Sequence, residues 1–88
     1  MSERAKRIKG HSELDESMIC YWKASDGSWM LWLPDNRVPD FNGLLGGLKL
    51  HKVEEHEDGT ITVSPSILVS NRNITRHGFL KRGIWTEC

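Results

Sequence analysis

Three tight-turn dipeptides constrain the fold of this chain more than any other feature. Asp26-Gly27, Asp58-Gly59 and Arg82-Gly83 each separate two short runs that contain apolar residues. A dipeptide of this kind is a strong local signal for a β-hairpin, because glycine readily adopts the positive φ that a tight turn requires. The sequence therefore predicts a hairpin at each of these places.

The runs between the turns have the composition of strands. Residues 18–24 are rich in aromatic and β-branched side chains, and residues 29–33 place large apolar groups on both faces of a strand. Apart from a weak trace at 3–16, no stretch repeats apolar residues at the i, i+3, i+4 spacing of a helix. This pattern predicts an all-β fold, a small antiparallel sandwich or roll of about five to seven strands.

The composition of the chain changes at residue 18. The 88 residues leave room for one small domain, which we assign to residues 18–88. Residues 1–17 are polar, with a basic block before an acidic block, and predict a flexible or weakly attached N-terminal arm. A contact tail for a partner is the alternative for this arm. Proline and glycine within residues 34–47 predict a long connection rather than a strand.

Charge and hydropathy give no sign of a nucleic-acid or membrane partner. Twelve basic and twelve acidic residues cancel, so net charge does not favour nucleic acid. No stretch reaches the ~18 consecutive apolar residues of a membrane span, and no signal-peptide core follows the charged N-terminus. The expected location is the cytoplasm, where a reducing environment would keep Cys20 and Cys88 as thiols or metal ligands.

The candidate metal ligands are widely spaced in the sequence. Cys20, His77 and Cys88 can converge only through tertiary folding, and no C-x-x-C pair pre-arranges two ligands. His51 and His56 are five residues apart on one predicted strand, so they would point to opposite faces. We therefore predict no metal and no cofactor, with a zinc site at Cys20, His77 and Cys88 as the alternative.

Motifs of known catalytic chemistry are not apparent in the sequence. Ser64 and Ser66 flank Pro65 without the glycine elbow that exposes a nucleophilic serine. The glycine-rich residues 43–47 lack the Lys and the Ser or Thr of a phosphate-binding loop. The protein is therefore predicted not to be an enzyme, and a small metal-dependent hydrolase is a third hypothesis.

A local basic patch with a stacking aromatic ring is the alternative that would suit nucleic acid. Its residues would be Lys23, Arg72, Arg76, Lys81, Arg82 and either Trp22 or Trp85. Because the chain is neutral, such a patch requires strong segregation of charge, so nucleic acid is not the leading prediction.

Tryptophan is the least ordinary part of the composition, with four in 88 residues. Both faces of one short strand are difficult to cover in so small a domain, so Trp32 and Trp22 are predicted to be partly exposed. Exposed Trp side chains are frequent anchors of protein interfaces. The predicted interface consists of Trp22 and Trp32 beside an acidic flank of Glu54, Glu55 and Glu57, which would steer a basic partner.

The order of several motifs is also informative. These motifs are Phe41-Asn42-Gly43, residues 60–68 with the sequence TITVSPSIL, residues 77–85 with the sequence HGFLKRGIW, and Cys88. In this order they resemble a family of small phage and prophage proteins of unknown function, which are often mislabelled as ammonia monooxygenase. The resemblance covers roughly residues 20–88.

The resemblance implies a phage origin, a β-rich fold and a location in the host bacterial cytoplasm. Many members carry an early Cys-Pro-x-Cys knuckle that, with a later Cys and His, implies zinc. Here only Cys20, His77 and Cys88 match, and Arg76 stands in place of a Cys. The leading hypothesis is a phage accessory protein that binds a host or phage protein without catalysis and inhibits a host defence system. The alternative is a zinc-stabilised or nucleic-acid-associated module.

Overall fold

The computed structural model describes residues 2–38, 42–71 and 74–88, and within them the chain forms nine strands and one short 3-10 helix. The strands are β1 Ser2–Arg4, β2 Lys6–Arg7, β3 Cys20–Lys23, β4 Trp29–Pro34, β5 Gly43–Gly47, β6 Lys52–Glu55, β7 Ile61–Asn71, β8 Ile74–Lys81 and β9 Ile84–Glu87. The 3-10 helix is His11–Glu13. Strand accounts for 57% of the described residues, which confirms the predicted all-β class.

The strands form two sheets. One has the order β1-β9-β8-β7-β6 and the other the order β2-β3-β4-β5. Neighbouring strands are antiparallel except for β2 and β3, which are parallel. Seven of the nine strands lie in residues 18–88, and the remaining two lie in the segment that was predicted as an arm.

The predicted hairpins are confirmed. Strand pairs β3–β4, β6–β7 and β8–β9 are antiparallel neighbours joined through the three tight turns. Gly27, Gly59 and Gly83 have φ values of 87°, 88° and 77°, the left-handed conformation that favours glycine. Local turn chemistry therefore determines these connections.

The start of the chain takes part in both sheets. Ser2 stands opposite Thr86 of β9, and Lys6 stands opposite Cys20 of β3. The intervening Ala5 is buried. This differs from the predicted weak attachment of the arm, because backbone hydrogen bonds can hold a polar strand at a sheet edge with little apolar contact.

The main core lies between the two sheets. Its most deeply buried large side chains, each less than 2% exposed, are Trp85, Tyr21, Ile19, Leu31, Leu33, Leu44, Ile61, Ile67 and Leu80. A second cluster lies on the outer face of the four-stranded sheet. It consists of Ile8, Cys20, Trp22 and Trp32, with Leu14 and Met30 packed against it.

The second cluster shows that the predicted exposure of two tryptophans is wrong. Trp22 is 5% exposed and Trp32 is 6% exposed. Residues 8–16 cover this face. Ile8 and Leu14 pack on it, and the His11 and Trp22 rings have an edge-to-face arrangement with their centroids 6.1 Å apart. The prediction failed because the segment that covers the second face was treated as a flexible or weakly attached arm.

Candidate functional site

A cavity of about 660 Å³ opens beside the free edge of the four-stranded sheet. Its walls are formed by the 11–16 segment, by strands β4 and β5, and by the end of β7. The lining residues are His11, Leu14, Glu16, Trp32, Gly43, Leu44, Leu45, Ser70 and Asn71. Most of the side chains that reach into it from the four-stranded sheet are apolar, which suits an apolar side chain of a ligand.

The Trp32 indole forms the fixed wall of this cavity. Its Nε1 donates a hydrogen bond to the Glu16 carbonyl at 3.2 Å, which ties the covering segment to β4. Gly43 lies against the same ring, and a Cβ at that position would contact the indole and approach the Leu33 carbonyl oxygen to 2.7 Å. Glycine at position 43 therefore allows the indole ring to approach the backbone of β5 closely.

Strand β5 is the edge strand beside the cavity, and within the described residues it pairs with β4 alone. The Leu48 N–H donates to the Trp29 carbonyl at 3.0 Å, and backbone groups along a strand alternate between its two sides. The register therefore directs the backbone N–H and C=O groups of Gly43, Leu45 and Gly47 away from β4. These outward groups can accept a further strand.

Strand β5 also corrects the sequence-based prediction of a long connection over residues 34–47. The run Gly43–Gly47 is a strand without a charged residue, and its Leu45 side chain is 51% exposed. Edge strands are normally protected by charge, proline or a covering element, because an open edge pairs readily with other chains. The β6 edge shows such protection, with Lys52, Glu54 and Glu55 in four residues.

The second half of β7 provides another open edge. Strand β6 pairs with β7 only as far as Ser64 in the described part of the chain, and the register shifts just after that point. The Cys88 N–H donates to the His77 carbonyl, so the backbone N–H and C=O groups of His77 face β9. Leu68 stands opposite His77 in the β7–β8 pair, so its own backbone groups face away from β8. By the same alternation Ser70, which lines the cavity, directs its backbone groups outward. Two incompletely paired strands therefore border the cavity.

A second, polar cavity of about 570 Å³ adjoins the first and shares Glu16 with it. Its lining residues are Glu3, Glu16, Ser17, Pro34, Asp35, Asn36, Asn42 and Arg76. Arg76 is held in place, because it forms an ion pair with Glu87 and donates to the Pro34 carbonyl at 2.8 Å. Its positive charge is therefore compensated within the protein.

Asp35 is the most strongly perturbed carboxyl group of this cavity. Hydrogen bonds from the Arg37 side chain, with an N–O distance of 2.5 Å, lower the pKa of Asp35 to about 2 from 3.8. The Asp35 side chain is only 7% exposed, whereas the Arg37 side chain is 60% exposed. The pair thus keeps a buried carboxylate ionised at the mouth of the site.

We predict that Asp35→Asn lowers the free energy of unfolding by about 1 kcal/mol at neutral pH, a modest value because Arg37 is well solvated. A carboxylate with a lowered pKa stabilises the fold above its ordinary pKa, and this contribution is lost as the pH falls from 3.8 through about 2. Urea unfolding of both proteins should therefore show a difference at neutral pH that disappears near pH 2. A difference of equal size at both pH values would contradict this role.

Trp32 and the three carboxylates of the predicted interface line different cavities. Glu54, Glu55 and Glu57 line a separate acidic cavity of about 520 Å³. Glu55 there pairs with Arg7 at 2.8 Å. Trp32 instead borders the apolar cavity, which contains none of these three carboxylates. The structure therefore places the acidic flank and the Trp32 cavity in different parts of the surface.

The three candidate zinc ligands are divided between the sheets. Cys20 is buried in the outer-face cluster, and its Sγ donates to the Asp15 carbonyl at 3.6 Å and the Met18 carbonyl at 3.5 Å. His77 and Cys88 are neighbours in the other sheet, joined by a backbone hydrogen bond of 2.9 Å. Across the described ranges, no three His, Cys, Asp or Glu residues are grouped so that they could hold a metal ion.

His51 and His56 were predicted to share one strand. In the structure they lie on either side of β6, because that strand is limited to Lys52–Glu55. His51 Nε2 lies 3.1 Å from the Ser66 carbonyl oxygen, and His56 Nε2 lies 2.6 Å from Thr62 Oγ1. Both rings are thus used in contacts with β7.

The structure brings together one pair that resembles part of a catalytic triad. His77 Nε2 lies 2.8 Å from Ser66 Oγ on the exposed face of the five-stranded sheet. Sequence reasoning missed this pair because it depends on the register of β7 and β8 after the irregularity near Pro65. Among the hydrogen bonds of the described residues, none orients the other ring nitrogen of His77, so the third member of a triad is not present there.

The basic residues of the hypothetical nucleic-acid patch are dispersed. Lys23 lies over the Trp29 ring at 5.7 Å, Arg76 is paired with Glu87, and Arg82 borders the acidic cavity. Arg72 lies outside the described residues, as does Phe41 of the motif quoted above. The described members of the patch therefore do not make a continuous basic surface.

Comparisons with protein-family models, with curated proteins and with solved structures found no match to this chain. In the part of the chain that the structure describes, no helix has the length and apolar character needed to cross a membrane.

Proposed function

We propose that this protein acts without catalysis, by binding an extended segment of a host or phage protein along the open edge of β5. The observation that carries this proposal is the juxtaposition of an uncharged strand edge with an apolar cavity. Strand addition uses these two features together: main-chain hydrogen bonds provide affinity, and cavities for alternate side chains provide specificity.

The geometry defines how such a segment would bind. Its backbone would pair with the outward N–H and C=O groups of Gly43, Leu45 and Gly47. Every second side chain of the segment would then lie on the outer face, over Leu45 and towards the cavity bordered by Trp32. The charged β6 edge is a poorer acceptor, because an incoming strand would have to approach Lys52, Glu54 and Glu55.

The proposed biological role is that of a phage accessory protein in the cytoplasm of the host bacterium. The motif order described above supports the phage origin, and the open edge supports action by binding. Capture of a segment from a defence protein would block that protein without any covalent chemistry. The test is therefore whether a partner depends on the β5 edge.

We predict that Leu45→Lys weakens binding of the partner by about tenfold or more, because it places an unpaired charge at the centre of the buried contact. Affinity capture from bacterial lysate followed by quantitative mass spectrometry would compare wild type with the variant. Phe79→Lys is the matched control, since Phe79 is 45% exposed on the other sheet. A partner recovered equally by Leu45→Lys, or lost equally with Phe79→Lys, would contradict the proposal.

A second variant tests the backbone contribution. The effect of Leu45→Pro is compared with that of Leu45→Ala, because proline removes the leucine side chain and fixes φ as well as removing the N–H. Leu45→Pro removes an outward N–H, which edge strands tolerate because that group is not part of the ladder with β4. It should weaken the same partner while leaving the circular dichroism spectrum unchanged. Undiminished binding by a folded Leu45→Pro protein would show that the partner does not add a strand to β5.

A further inference from the structure

We infer that the bound segment carries a bulky apolar residue with a Lys or Arg two positions away, an inference that rests on the proposed function. The apolar cavity beside β5 and the polar cavity are neighbours, because Glu16 lines both. A strand that fills the first cavity with one side chain therefore brings a neighbouring side chain towards the second.

The charge of the polar cavity selects the sign of that neighbouring side chain. Asp35 is already paired with Arg37, and Arg76 is paired with Glu87. Glu3 and Glu16 take part in none of the ion pairs found in the described ranges. The two uncompensated charges of the cavity are therefore both negative, and they complement a cation of the ligand.

The spacing follows from strand geometry. Residues i and i+2 of an extended segment lie on the same face, about 6.6 Å apart. The polar cavity lies at the Gly43 end of β5, where Asn42 and Pro34 line it. A segment that runs antiparallel to β5 would therefore present its apolar residue first and its basic residue second, and a parallel segment would present them in reverse order.

A yeast-displayed library of random dodecapeptides, sorted for binding to the fluorescently labelled full chain, tests this inference. Peptides selected on wild type should combine an apolar residue with Lys or Arg two positions away. Sorting on Glu16→Lys should remove this preference for Lys or Arg, because the new cation offsets the charge of Glu3. Glu57→Lys, which changes an acidic residue of the separate cavity, should select the same peptides as wild type.

The affinity of one selected peptide provides a quantitative check. It should bind Glu16→Lys about threefold to fivefold more weakly than wild type, because the pair is solvent-exposed, and the difference should shrink at high salt. Peptides that lose binding with Leu45→Lys but show no basic preference would overturn this inference and leave the proposed function standing. A library without any Leu45-dependent binder would overturn both.

Discussion

Replacement of Trp32 by alanine is expected to lower the free energy of unfolding by about 3–5 kcal/mol, the range found when a large buried aromatic side chain is removed. Trp32 is 6% exposed and packs with Ile8, Cys20 and Trp22 on the outer face of the four-stranded sheet. Its loss would leave a cavity there and would also remove the hydrogen bond that holds the covering segment at Glu16.

The measurement is urea-induced unfolding followed by circular dichroism. Trp32→Phe is the matched control, because it keeps an aromatic ring in the cluster while it loses the indole N–H and part of the buried ring volume, so a smaller loss of about 1–2 kcal/mol is expected. A loss below about 1 kcal/mol for Trp32→Ala would mean that the outer-face cluster contributes little to stability. A variant that remains folded can also be tested for partner binding, since Trp32 borders the apolar cavity.

Gly78→Ala is expected to destabilise the fold by about 2–3 kcal/mol through overpacking. A Cβ at this position of β8 would lie 2.5 Å from the Thr86 carbonyl oxygen and 2.6 Å from Cζ2 of Trp85. Neither neighbour can yield easily, because the oxygen belongs to the backbone of the adjacent strand and Trp85 is 1% exposed. The two strands would have to separate locally to admit one methyl group.

Gly47→Ala is the matched control for this substitution. Gly47 also lies in a strand, but the nearest atom to a new Cβ is Met30 Sδ at 3.8 Å, an ordinary contact. Its effect should remain within about 0.5 kcal/mol. Equal thermal unfolding midpoints for the two variants would contradict the argument that Gly78 is required by close approach of β9.

The hairpins could be predicted from sequence because their signal is local. Gly27, Gly59 and Gly83 lie at positive φ within a few residues of the strands that they connect. Strand β5 could not be predicted in this way, because a run of glycine and leucine has the same composition in a connection and at a sheet edge. Its identity depends on the ladder with β4, which is a tertiary contact.

The candidate site was hidden from sequence reasoning for the same reason. Nothing in the sequence distinguishes Leu45 from other leucines, because its importance depends on the position of β5 at the edge of the sheet. Trp32 and Trp22 were recognised as unusual, but their burial depends on the polar segment that crosses them with only Ile8 and Leu14 as apolar contacts. Two apolar residues in this segment are too few to form the periodic pattern from which a buried element is predicted.

The pairing of β1 with β9 has a consequence for synthesis of the protein. Ser2 is separated by 84 residues in the sequence from its partner Thr86, so it leaves the ribosome long before that partner. Until residues 84–87 have emerged, the nascent chain has no Trp85 for its core, and one side of β8 has no neighbour. Residues 84–87 must therefore have been synthesised before either β1 or the five-stranded sheet can reach its native arrangement, and the growing polypeptide exposes apolar surface throughout that interval.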